Sequence, residues 1–592
     1  MIVQKMLFPD PFINSERDLF FHAQGGLSGC DFTRRVYYAD AKEVITFDTF
    51  YNAFPLALYD LSQEHNVYMN ITLKGECIVT IFQAHWHKSW DVLSQTKLKS
   101  EDDFSVIKLQ IPLTHTMGVI YSAFSAVTPI EIADIEYIVE GEVRNDVSIT
   151  ACITTYKRDD AVQDTCHRME NYFSQNPDMA DKFHLLVVDN GGDTKSIPYS
   201  AGRLVENPNY GGAGGFMRGL LEVTEHEKTT HVLFMDDDAS FFPESIRRTL
   251  AVLSFNPTPN LAISGSMITS LHKWMMWEDT AYFSNGCHPY NRGKDLRLFN
   301  DVLACFYDKP PVSKKRYGGW WYFCFPVAAV EKSTFPFFVR GDDIYFSLNN
   351  NFQITTIPGV ASIQDDFSIK QSPFTLYLDM RNHIVQNLTF PALGGSWRKD
   401  LKMLFNFFNR FNSSYHYETA ACISIALRDV LEGAGFWDAN LAMGPKMAEI
   451  KSHISNEKII ENFAYEPDDV FGMRGAPRGR LRWLMRKVTL NGHLIPKFLF
   501  FRKGRIMPLS DRPRADQVYR RSFGIHIDHN TRQGYKVEFN RGAYFRNLGT
   551  FLKLILNYVR NYQKLKHIYG QYREQRCNMQ NWKKRLELAE RG

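Results

Sequence analysis

Three apolar runs, each ending in polar or acidic residues, constrain this chain more than any other feature. They span 147–156 (VSITACITTY), 184–190 (HLLVVDN) and 231–238 (HVLFMDDD). A strand with one face in water alternates apolar and polar residues. These runs are nearly continuous, as strands covered on both faces are. A helical stretch around 159–175 follows the first run, and further helical segments alternate with the others. The pattern predicts a doubly wound, mainly parallel α/β sheet, whose ligands gather beyond the C-terminal ends of its strands.

The flanking regions have a different grammar. Residues 1–145 are β-rich: 67–73, 76–82, 104–112 and 131–140 are short, β-branched and partly alternating, with Gly, Asn and Asp between them. They predict an antiparallel β-sandwich. From about 400 the chain reads as helical, at 399–408 and at 418–433, the latter closing on Gly433. A Pro/Arg/Gly-rich stretch (474–514) then precedes a basic segment at 544–590. A length of 592 residues suggests roughly four folding units. We place them at 1–145, 146–395, 396–540 and 541–592. The last is read as basic amphipathic helices.

Composition narrows the class. Hydrophobic residues at 44% and charged residues at 23% exclude wholesale disorder. No run of 18 uncharged apolar residues offers a spanning helix. The first residues lack a basic region followed by an apolar one, so no secretory signal is expected. Nine scattered cysteines without a C-x-x-C pair argue against a disulfide framework or a zinc ribbon. A reducing cytoplasm is the expected home. Aromatic residues at 14% favour sugar platforms or interfaces, though large cores use them too.

The candidate chemistry lies at the strand ends. Asp236-Asp237-Asp238 follows an apolar run, so two carboxylates can share one hard cation such as Mg²⁺ or Mn²⁺, which bridges naturally to a diphosphate. A solvated acidic turn is the plainer reading of such a triplet taken alone. Thr155-Tyr-Lys-Arg158, Val188-Asp189-Asn190 and the glycine-rich run from Asn209 to Arg218 lie upstream. That run can let backbone approach a nucleotide sugar, with Arg218 toward phosphate, or it can be a turn. It matches neither the dinucleotide fingerprint nor the P-loop, which disfavours a dehydrogenase or a P-loop kinase.

The order of these motifs resembles the family 2 glycosyltransferases of GT-A fold, through TxxR, VVDN, NxGGAGGFxRG, FMDDDA, the Trp320-Trp321 pair and Gly341-Asp342-Asp343. Within that family the chain looks most like the galactofuranosyltransferases of bacterial and mycobacterial cell envelopes, which also carry an N-terminal β-sandwich and a helical C-terminal region. The resemblance is specific over 147–390 and architectural elsewhere. It implies a central Rossmann-like GT-A domain, with Thr155 and Arg158 on the uridine diphosphate and Asp189 facing the uracil. Asn209 and Arg218 would line the donor pocket, with Asp237 near the sugar. Asp236 and Asp238 would hold Mn²⁺ or Mg²⁺. Trp320 and Trp321 would form an acceptor wall, a buried core pair being the alternative. Asp342-Asp343 matches the acidic pair that contains the base, Asp343 being the choice, and a surface turn the alternative. The family's metal-binding His is replaced by Gln364, and a second His, associated with the acceptor, by Asp379. Asp365 or water is the other candidate for the vacant metal position.

These residues predict an inverting, metal-dependent transferase acting on a UDP-sugar. The resemblance implies UDP-galactofuranose as its donor and a galactan, O-antigen or lipid-linked glycan as its acceptor. A relative using another UDP or dTDP sugar, and a non-catalytic carbohydrate-binding scaffold, are the competing readings. Charge adds a partner. From 471 to 592 there are 28 Lys and Arg against 7 Asp and Glu, so this segment carries +21 and the rest of the chain −17. In 541–576, basic residues interleave with Phe545, Leu548, Phe551, Leu552, Leu554, Ile555 and Tyr558 at helical spacing. The segment reads as a peripheral attachment to an anionic membrane at its inner face. A helix packed on its own domain or on a second subunit is the alternative. No nucleic-acid module accompanies the charge, so nucleic acid is not expected.

Overall fold

The strand Asn66–Ala84 organises the N-terminal region. The sequence suggested two strands separated at Gly75, but the chain runs through: Gly75 adopts φ +94°, the register slips there, and a Cβ would meet Pro129 O at 2.3 Å. One edge of this strand pairs with Asp91–Ile111. The other pairs first with Ile130–Glu140 and then with Val119–Ala126. The described strands of the region are all antiparallel and belong to one hydrogen-bonded sheet, in keeping with the expected antiparallel β domain. The computed structural model describes residues 1–590 except positions 63, 114, 227, 239, 312–313, 366, 368–369, 391–392, 467–469 and 472–478, with backbone alone at 101–102, 510 and 588–590.

The central sheet has the order Gly202–Glu206, Phe183–Asp189, Ile149–Thr155, His231–Asp236, Phe323–Pro326, Leu261–Ser264, Gln353–Thr355. The first four strands are parallel, and Phe323–Pro326 runs antiparallel to both neighbours. The register sets Thr155 beside Asp189 and Thr154 beside Asp236. Three polar strand ends therefore meet at one edge, as the apolar runs predicted.

The helix Glu244–Phe255, buried along its whole length, joins the two regions. Its Glu244 accepts from Lys5 N (2.6 Å), Arg248 donates to Lys5 O (3.0 Å), and Phe242 packs on Phe20 and Tyr51. Arg247, fully buried, is held by Asp178 and Asn176. One apolar core runs from the N-terminal sheet into the central domain.

The C-terminal region is helical, with Pro373–Thr389, Trp397–Ser413 and Tyr417–Leu431 packed on one another. It also contains a four-stranded sheet that the sequence did not suggest, formed by Val470–Phe471, Gly504–Pro508, Phe523–Asp528 and Gln533–Glu538. These strands are short and sit in Arg-rich sequence, which hides their apolar residues Ile506, Met507, Ile525 and Ile527. Of the Pro/Arg/Gly-rich stretch, 474–478 lies outside the described residues.

The 36-residue helix Arg541–Arg576 lies on this helical core. Phe551, Tyr558, Tyr562, Leu565, Tyr569 and Tyr572 are buried, and Leu548, Leu554 and Ile555 pack beside them. Phe545 and Leu552 alone of the expected apolar set stay largely exposed, at 38% and 46%. The face read as membrane-seeking is thus turned inward, because the helix finds an aromatic core in its own chain. The chain then returns to the central domain through Met579–Glu590, where buried Trp582 donates to Thr334 O (3.0 Å). Among the described residues no helix is long and apolar enough to cross a membrane. All nine cysteines are free thiols.

Candidate active site

The strand His231–Asp236 delivers its terminal carboxylate and the next two to the sheet edge. Thr155 Oγ1 donates to Asp237 Oδ2 (2.8 Å), and Arg158 Nη1 lies 3.1 Å from Asp237 Oδ1 and 2.9 Å from Asp238 Oδ2. Lys370 Nζ reaches the same Asp238 oxygen at 3.2 Å. Burial, then the charges of Asp238 and Asp237, pushes Asp236 up to about 7. Burial also opposes ionisation of Asp238, but Lys370 and Arg158 outweigh it and hold its carboxyl below the usual range. Burial leaves Asp237 raised, tempered by Thr155 and Arg158.

A cavity of about 1280 Å³ opens beside the triplet. Its lining also includes Asp342 and Asp343, at the start of the helix Asp342–Asn349. Gly341 precedes them at φ +79°, a conformation that a side chain would strain. Thr334 Oγ1 fixes the Asp342 carbonyl (2.7 Å), and Asp343 Oδ1 accepts from Ile344 N (2.7 Å). Burial and the adjacent Asp343 charge push Asp342 well above the carboxylate range. Burial raises Asp343 to about 6. Two adjoining buried carboxyls resist double ionisation, so the pair keeps one proton into the neutral range.

Trp320 and Trp321 line the same cavity and are also core residues. Trp320 stands edge-on to Phe216 at 4.7 Å, with its Nε1 buried and unpartnered. Trp321 Nε1 donates to Gly265 O (2.9 Å). Asp379 lines the cavity 3.9 Å from Arg340 Nη1. Gln364 also lines it, with its Nε2 buried and unpartnered, while Asp365 accepts from Ser270 Oγ (2.5 Å).

Four expected residues lie off this lining. Thr155 sits behind Asp237, which it orients. Asp189 is fully buried and accepts from Gly191 N (2.7 Å) and Thr194 N (2.9 Å), so both its oxygens shape the loop after its strand. Asn209 Oδ1 accepts from Gly211 N (3.0 Å) at the entry to the helix Gly211–His226. Arg218 points along that helix to Glu222 (2.9 Å) rather than into the cavity. The glycine-rich run is therefore the first turns of a helix. Its glycines allow close packing: a Cβ on Gly215 would meet Thr154 Cγ2 at 2.2 Å, and one on Gly219 the Cys152 sulfur at 2.2 Å. Gly212 alone of that run's glycines lines the cavity, where a Cβ would come within 3.1 Å of Asp342 Oδ2.

The fold adds residues that the sequence reading missed. Glu278, at the end of a short buried strand, lines the cavity and is pushed up to about 8 by burial and by Asp343. Arg292 lies 3.6 Å above the Trp277 ring. His383 follows Asp379 by one helical turn, 3.7 Å from Cys287 Sγ, with Nδ1 buried and unpartnered. The four-residue spacing of Asp379 and His383 was the available signal. Glu278, Arg292 and Lys370 had none, because they enter from separate loops and strands.

The donor set fits a hard divalent cation. Asp236 ionises reluctantly beside Asp238, and a dication between the two would relieve both burial and repulsion. Mg²⁺ or Mn²⁺ typically takes only one or two carboxylates and completes its shell with water and phosphate oxygens. Lys370 and Arg158 are resident counter-ions with which such a cation competes.

Residues 150–300 match the family described as glycosyl transferase family 2. Over 375 residues the chain is 22% identical to galactofuranosyltransferase GlfT2 of Mycolicibacterium smegmatis, covering 58% of this chain and 57% of that protein. Over 227 residues it is 28% identical to galactofuranosyltransferase GlfT2 of Mycobacterium tuberculosis, covering 34% and 35%. The matched regions thus leave much of each relative's length uncovered. A solved structure of glucosyl-3-phosphoglycerate synthase from Mycobacterium tuberculosis is 10% identical, with a TM-score of 0.24, covering 42% of this chain and 81% of that one.

Proposed function

We propose that this chain, which carries a glycosyl transferase family 2 domain and is distantly homologous to mycobacterial galactofuranosyltransferases, is an inverting UDP-sugar transferase acting on a cell-envelope glycan. The observation that carries the reading is the meeting of Asp236–Asp238, Asp342–Asp343 and an aromatic wall around one cavity. A diphosphate against the triplet would face Arg158 and Lys370, which neutralise it as the bond to the sugar breaks. Asp236 and Asp238 would hold the divalent ion, which supplies further charge to the departing diphosphate. Asp343 takes the proton of the acceptor hydroxyl as that oxygen attacks the anomeric carbon from the face opposite the diphosphate. Inversion needs no enzyme nucleophile, so a single base suffices.

UDP-galactofuranose is the donor we favour, on the motif resemblance and the distant relatives. A galactan, O-antigen or lipid-linked chain is the favoured acceptor, against Trp320, Trp321 and Asp379. Incubating the purified protein with a panel of UDP sugars and a galactoside acceptor tests this. Turnover of UDP-galactofuranose alone supports it, and turnover of another sugar reassigns the donor.

For peripheral membrane attachment we favour a different segment from the one the sequence suggested. Residues 480–510 contain eight Lys and Arg and no Asp or Glu. Within them Leu481, Trp483, Leu484, Val488, Leu494 and Phe498 are at least half exposed, Phe498 at 84%. A basic surface studded with exposed aromatic and aliphatic side chains suits the interface of an anionic leaflet. Such a surface would confine the enzyme to the plane of a lipid-linked acceptor.

A further inference from the structure

We infer that the N-terminal sheet carries a second metal site, of the zinc class, formed by His85, Asp91 and His115. None of the three lines the cavity described above. His85 follows directly on Asn66–Ala84, and Asp91 opens Asp91–Ile111 opposite Gln83. His115 lies in the short connection before Val119–Ala126, whose Val119 pairs with Ala84. Two adjacent strand ends and the connection leading to a third thus present the three side chains, with Asp91 alone held within a ladder.

The ligand atoms lie within 4.8 Å of one another. His85 Nε2 and Asp91 Oδ2 are 3.5 Å apart, near the roughly 3.3 Å between neighbouring ligands on a tetrahedral ion with bonds of about 2.0–2.1 Å. The imidazoles are 4.9 Å apart and tilted by 42°. Gln83 anchors the loop of His115 by donating to the carbonyl oxygens of His115 (3.1 Å) and Met117. Two imidazoles and one carboxylate suit Zn²⁺, whereas the all-carboxylate triplet suits Mg²⁺ or Mn²⁺. Water completes the fourth position.

The location gives the site a structural purpose. Trp90 Nε1 donates to His85 O (3.2 Å), and its ring stands edge-on to Phe299 at 5.4 Å. Trp86 stacks on Tyr307 at 6.5 Å. Both partners belong to the helix Phe299–Tyr307 of the central domain. A metal at this hairpin tip would clamp the contact between the N-terminal sheet and the catalytic domain.

Co²⁺ alone, added to chelator-stripped full-length protein without nucleotide, tests the site. Wild type should take up one equivalent with the intense visible absorption of a four-coordinate ion. H85Q and H115Q should each lose that band or bind at least tenfold more weakly, and the D236N/D238N variant should keep it. Zn²⁺ should raise the Tm of wild type and leave that of H115Q unchanged. His115 is exposed, so H115Q carries the test if H85Q does not fold. A wild-type protein without the intense band, or a band that survives in a folded H115Q, overturns the site and leaves His85–Asp91 as a simple ion pair.

Discussion

Lys370 Nζ lies 3.2 Å from Asp238 Oδ2, the position at which a cation bridging protein to diphosphate is expected. Gln364, expected where the resembling family has a metal-binding histidine, lines the same cavity as Asp238 and Lys370. The account therefore predicts weak metal affinity. K370M should tighten Mn²⁺ binding by removing the competitor while weakening UDP binding in chelator. Q364H should tighten Mn²⁺ as well. Titration of Mn²⁺ against the two variants, followed by calorimetry, checks both directions.

Asp236→Ala and Asp238→Ala should abolish transfer and weaken UDP binding in the presence of metal. A radiolabelled donor assay beside a UDP titration measures the two effects together. Full activity in both variants would remove the triplet from the reaction.

The carboxyl pair sets a pH dependence. A base must be ionised to act, and Asp343 is raised to about 6. kcat/KM should therefore rise with pH through about 6 and then level off, because the free enzyme's base governs that parameter. Asp343→Asn should remove this rise and lower turnover roughly 10²-fold or more, the range for general-base catalysis. Donor affinity should change little. If D343N retains the wild-type profile, Asp342 becomes the candidate base.

How far the sequence could lead is visible at particular residues. The apolar runs ending at Asp189 and Asp236 predicted both the parallel sheet and the edge where the triplet sits, because burial on both faces leaves a continuous apolar signature. The acidic triplet and Asp342-Asp343 could be singled out because each follows a recognisable local element. Lys370, Glu278 and Arg292 could not, since only tertiary folding brings their loops and strands to the cavity. Arg218 misled for a related reason: a glycine run beside an arginine reads as a phosphate loop, yet here the glycines serve helix packing on Cys152 and Thr154. The helix Arg541–Arg576 shows the limit of amphipathicity, which reports an apolar face without saying what covers it.

Trp582 is fully buried and bonded to Thr334, so Trp582→Ala should cost about 3–5 kcal/mol and lower the Tm. Deleting 541–592 should prevent folding altogether, since it removes Phe551, Tyr558 and Tyr569 from the core. Thermal melts and limited proteolysis separate these outcomes from loss of activity alone.

For the exposed basic segment, replacing Trp483, Leu484 and Phe498 with serine should reduce flotation with anionic liposomes and leave transfer to a short soluble acceptor intact. Each Lys or Arg near an anionic leaflet contributes on the order of 1 kcal/mol, screened by salt. High salt should therefore weaken the remaining attachment. Flotation of the triple variant equal to wild type would place the attachment elsewhere.

The site is proposed to transfer a sugar from a nucleotide donor by means of the residues around the cavity that Asp236–Asp238 and Asp342–Asp343 line. Product formation from UDP-galactofuranose on a galactoside acceptor, measured side by side for wild type, D236A and D343N, tests it most directly. The account predicts glycosylated product with wild type, none with D236A, and a loss of roughly 10²-fold or more with D343N at preserved donor affinity. Product formed equally by all three proteins, or by none with any UDP sugar, would contradict it.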